Sequence, residues 1–82
     1  MIQMMNVKKE LEKYFETDLV YVRVGLDKET DTKRRGDICW YAMQRALGAV
    51  QLAQMLGLPF SEAEPMYENY KAILEDLQYE TL

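Results

Sequence analysis

Ile38-Cys39-Trp40-Tyr41-Ala42-Met43-Gln44-Arg45-Ala46-Leu47-Gly48-Ala49-Val50-Gln51-Leu52-Ala53-Gln54-Met55-Leu56 is the stretch on which the fold turns. Its polar members are few: Gln44, Arg45, Gln51 and Gln54. Asp37, Gln44 and Gln51 recur at the heptad spacing, so a helix here offers water only a narrow stripe. A helix apolar nearly all round must be covered on several sides. Ala42, Ala46, Ala49 and Ala53 form a small-residue seam along it, which lets another helix axis come close. Gly48 lies near that seam and costs ~1 kcal/mol against Ala in a helix interior, for which close packing is the expected reason. Gly57 suits a left-handed stop, and Pro59 blocks continuation.

Working outward, residues 25–36 are polar and form the main connection before this helix. Thr30 and Asp31 are both candidate N-caps, since a short side-chain oxygen can accept from the first free amides. The central helix is therefore expected over about 31–57. Upstream, Met4, Val7, Leu11 and Tyr14 fall at helical spacing, widened by Phe15, and predict a first helix from about Met4 to Glu16. Residues 18–26 carry two patterns at once. Three valines and a tyrosine favour a strand by side-chain stiffness. Leu11, Phe15, Leu19, Val22 and Leu26 continue a helical stripe. No second strand-like run offers a lone strand a partner, so the helix reading is preferred, with one short extended segment at 19–24 as the alternative. Asp18 would recap the helix there.

Downstream, Ser61-Glu62-Ala63-Glu64 has capping-box spacing, with Phe60 at the staple position. Pro65 is tolerated only in a first turn, which allows the start to slip toward Glu64. Met66, Tyr70, Ile73 and Leu77 make one face, widened by Tyr67 and Leu74, and acidic residues fill the other. Three helices, the central one apolar all round, predict an all-α three-helix bundle as a single domain over 1–82.

The chain has 82 residues, 49% of them apolar and 29% charged, with one Cys, no His and a net charge of −4. The apolar fraction is too high for a disordered segment. One cysteine forms no internal disulfide, so nothing covalent staples a core this small. No apolar run reaches the ~18–20 residues of a membrane helix, and Met1–Asn6 lacks a signal-peptide start, so a cytoplasmic protein is expected. Charge is uneven: residues 1–35 are net +1 and residues 36–82 net −5. An acidic chain argues against broad phosphate binding.

Catalytic and metal chemistry find no constellation. Cys39 lies among apolar residues without a His to serve as base, and reads as a buried small apolar side chain despite Arg35 one turn earlier. One Cys and no His exclude most zinc and transition-metal sites. Asp27-Lys28-Glu29-Thr30-Asp31 starts like a calcium loop, but Thr32 stands where the loop needs Gly and Ile38 where it needs Glu. Glu62 with Glu64 and Glu75 with Asp76 read as solvated outer-face carboxylates. The four glycines make no phosphate-cradling loop. Lys33-Arg34-Arg35, with Trp40 and Tyr41 one turn on, is the single basic cluster. It opposes the helix dipole, an electrostatic cost that suggests a use. Leu52 to Pro59 resembles the first helix and turn of helix-turn-helix domains, but the helix that would enter the groove carries Glu62, Glu64 and Glu68 and no base before Lys71.

These readings predict a small non-enzymatic, homodimeric interaction module without metal or cofactor. The Ala42, Ala46, Ala49, Ala53 seam is its expected interface, with Leu47, Val50 and Leu56 beside it in the core. The expected partner surface is Lys33, Arg34, Arg35, Trp40 and Tyr41 with Glu64 and Glu68 on the third helix. Two alternatives stand beside it. One is a nucleic-acid or nucleotide accessory using Lys33, Arg34, Arg35 and Trp40. The other is an acidic inhibitor presenting the third helix to a basic protein.

Overall fold

A computed structural model describes residues 6–80 as three α-helices: α1 (Val7–Asp27), α2 (Thr32–Met55) and α3 (Phe60–Gln78). The bundle measures 50 × 23 × 15 Å, with α2 packed against both neighbours. There is no strand among the described residues, and the valine-rich segment is helix through to Asp27. Val22 and Leu26 are buried there, while Val20, Tyr21 and Val24 are exposed, so burial of one stripe decided a segment whose local propensity pointed the other way. The Asn6 side chain accepts from the Lys9 amide at 3.0 Å and caps α1. Met4, expected to open that helix, lies outside the described residues. No helix among the described residues is long and apolar enough to cross a membrane.

The two connections are four residues each by the helix bounds, and both are locally determined. Asp31 caps α2 by accepting from the Arg34 amide at 3.1 Å. Beyond Met55, the Leu58 amide donates to the Ala53 carbonyl and the Gly57 amide to the Gln54 carbonyl, each at 3.0 Å. Gly57 has φ 110°, and Leu58 and Ala53 are both buried, which is the Schellman stop with its hydrophobic contact. α3 begins at Phe60, one residue before the expected Ser61 cap, and no side chain caps it. Pro65 falls inside α3 instead of opening it; both Pro65 and Ser61 are exposed, so water reaches the turn where an amide is missing.

The core draws on all three helices: Leu11, Phe15, Val22 and Leu26 from α1, Cys39, Ala42, Ala46, Val50 and Ala53 from α2, and Ala63, Tyr70, Leu74 and Leu77 from α3. Two of the residues expected in the core of the central helix, Leu47 and Leu56, are exposed instead. The large side chains at the centre come from α1 and α3 while α2 supplies mostly small ones, so α2 is gripped from two sides at short range.

Candidate functional site

The alanine seam faces inward. Ala42, Ala46 and Ala53 are 0%, 1% and 4% exposed within the single chain, so α1 and α3 use the close approach that the seam permits. These three alanines are thus unavailable to a second copy, which corrects the expected interface. Ala49 is half-buried and borders the surface groove described below.

The basic cluster is also divided. Arg35 is 6% exposed, and its guanidinium donates to four backbone carbonyls. Nη1 reaches Leu26 at 2.8 Å and Glu29 at 3.0 Å, while Nη2 reaches Leu77 at 3.0 Å and Glu80 at 3.4 Å. Those carbonyls cluster where α1 and α3 end. Neither helix has a basic residue in its own last turn, so Arg35 of α2 supplies the positive charge that both C-termini favour. The electrostatic cost at the start of α2 thus has a structural use, and Arg35 leaves the predicted partner surface. Lys33 is exposed and pairs with Asp37 at 3.4 Å, one turn along the same helix, and Arg34 is exposed.

Trp40 and Tyr41 are exposed and meet edge to face at 5.1 Å, but they look into different grooves. Trp40 borders α3 beside Met43 and Tyr79, whereas Tyr41 borders α1 beside Tyr21 and Val24. Glu64 and Glu68 are exposed on α3, and nearby Glu62 meets Lys8 of α1 at 3.4 Å.

Beneath the surface lies a polar cluster that sequence reasoning missed. Asp18, 9% exposed, accepts from Arg45 Nε at 2.9 Å through Oδ1 and from the Tyr70 hydroxyl at 2.5 Å through Oδ2. One carboxylate thus ties the three helices together. Burial, then the hydrogen bond and charge of Asp18, push the Tyr70 hydroxyl far above its ordinary pKa. Tyr14 is raised as well, by burial and by Asp18, against the pull of Arg45. Burial lowers the pKa of Arg45, but its bond to Asp18 and the neighbouring charges outweigh that and leave it raised. Asp18 sits in register with Leu11, Phe15, Val22 and Leu26, and a carboxylate in a core stripe demands a partner. That was the available signal.

An exposed apolar surface along the α1–α2 seam also escaped the sequence reading. Arg45 divides it into two depressions of about 430 Å³ each. On one side stand Tyr21, Val24, Ile38 and Tyr41; on the other, Tyr14, Leu52 and Leu56 surround Gly48 and Ala49. Tyr21, Tyr41 and Leu52 are 73%, 58% and 56% exposed. The Arg45 guanidinium lies over the Tyr21 ring at 5.8 Å. The sequence signal was Tyr14 and Tyr21 at heptad spacing, with Val24 one turn on from Tyr21, all beside the stripe of Leu11, Phe15, Val22 and Leu26.

Cys39 is fully buried, and burial raises its thiol pKa against the opposing charge of Arg35. Among the described residues, no group of three or more His, Cys, Asp or Glu side chains is placed to hold a metal ion. Comparison with known proteins returns no matching family model, no matching curated protein and no matching solved structure.

Proposed function

We propose that this acidic chain works in the cytoplasm as a non-enzymatic protein–protein interaction module, homodimeric in its working form, which docks helical protein surface on its α1–α2 face. The observation that carries the reading is the exposed row of Tyr14, Tyr21, Val24, Tyr41 and Leu52, contiguous along two helices and rimmed by charge. Contiguous apolar surface on a small domain is costly to leave in water and marks interaction sites. Aromatic side chains with a central arginine are also the residue types that dominate binding energy at interfaces. The nucleic-acid alternative loses ground because Arg35 is committed to backbone carbonyls.

Hydroxyl-radical footprinting inside the cells that make the protein tests the docking face. Protection of Tyr21, Tyr41 and Leu52 relative to dilute purified protein is expected, with Phe60 and Tyr79 equally reactive in both. Equal reactivity of all five would refute the module reading.

A further inference from the structure

We propose that the occupant of the α1–α2 face is a second copy of this chain, packed antiparallel across a two-fold axis at the level of Arg45. The inference rests on the docking face proposed above and goes further by naming the partner and its direction. Three features point to self-association. The first is shape. Tyr41 stands on one side of Arg45 along α2, and Gly48 opens the depression on the other. A Cβ added at Gly48 would meet nothing within 4 Å, so the hole is empty in the single chain. A two-fold perpendicular to the helices sets the Tyr41 of each copy at the Gly48 of the other, so one surface carries both knob and hole.

The second feature is charge. Glu10 borders one end of the groove and Lys28 the other, equidistant from Leu19 along α1. Antiparallel α1 helices bring each Glu10 to a Lys28, whereas parallel ones would set like charges together. Each Arg45 arrives at the axis already paired with Asp18. On a chain of net charge −4 this face therefore sums to zero, and two like-charged copies can approach on it. The third is extent. The stripe from Val7 to Lys28 spans about 30 Å of helix and the face is about 20 Å wide, of the order needed for the ~800 Å² per partner of a stable interface.

Sedimentation velocity over a hundredfold concentration range tests the assembly. Wild type is expected to sediment as a dimer and Gly48→Leu as a monomer with unchanged helix content, dimer affinity falling at least a hundredfold. Direction is read by cysteine cross-linking: Glu10→Cys chains mixed with Lys28→Cys chains should give covalent heterodimers, and Glu10→Cys chains alone none. A wild-type monomer at every concentration would overturn the second-copy proposal. So would a dimer that survives Gly48→Leu, or cross-links between Glu10→Cys chains alone. In-cell protection of Tyr41 and Leu52 with a monomeric purified protein would keep the docking face and reject both the second copy and the homodimeric working form.

Discussion

Tyr70 and Asp18 show how a buried carboxylate is made tolerable: each oxygen has a donor, one neutral and one charged. Tyr70→Phe keeps the ring stacked on Phe15, whose centroid is 4.8 Å away, but leaves Oδ2 without its hydroxyl. The expected cost is about 1–3 kcal/mol at neutral pH, measured by urea denaturation. The same hydroxyl sets an alkaline limit. Its pKa in the fold lies well above the ordinary 10.0, so above pH 10 the unfolded chain releases a proton that the folded chain retains. Stability should then fall with rising pH, by up to about 1.4 kcal/mol per unit from this residue, and the slope should be shallower in Tyr70→Phe. Cys39 gives a simpler prediction. Fully buried, with its pKa raised, it should resist iodoacetamide at pH 8 in the native protein and react at the rate of unfolding.

At the scale of elements, two glycines of one helix region should respond in opposite directions. Gly48→Ala has open space and an ordinary helical backbone, so the dilute single chain should gain about 0.5–1 kcal/mol. Gly57→Ala has open space too, but its φ of 110° should cost about 1–2 kcal/mol. Thermal melts of the pair in dilute solution separate backbone strain from packing. Sequence patterning read the three helices well, because turn chemistry and apolar period agree at Asp31, Gly57 and Pro59. It read 19–24 less surely, since β-branched side chains carry a strand preference that only tertiary burial of Val22 and Leu26 overrides. The start of α3 was misplaced because Pro65, a strong local signal, is accommodated on a surface open to water.

Over the whole molecule, the seam and the basic cluster misled for one reason. Residue type and spacing identify what can pack closely or carry charge, but not which neighbour takes it up. Ala46 and Arg35 were both read as addressed to an outside partner, and both are consumed within the chain. The docking groove was obscured by the converse: Tyr14 counted only as part of the α1 stripe because its spacing fits, yet it sits at the groove edge, 37% exposed. Arg35→Met tests the clamp. It removes the donor to four carbonyls, and a loss of about 3 kcal/mol or more in denaturation is expected, a large share of the stability of a domain this small.

Arg35 fastens the bundle at one end only. The last turns of α1 and α3 meet there, while the opposite end is held by the Gly57 turn and by the exposed Lys8–Glu62 pair. The two ends are thus fastened by different chemistry, a buried guanidinium at one and apolar packing of Leu11, Ala53, Leu58 and Ala63 at the other. Gly48 and its depression lie on the half of α2 away from Arg35, so a partner side chain can fill that depression without touching the buried guanidinium or its four carbonyls.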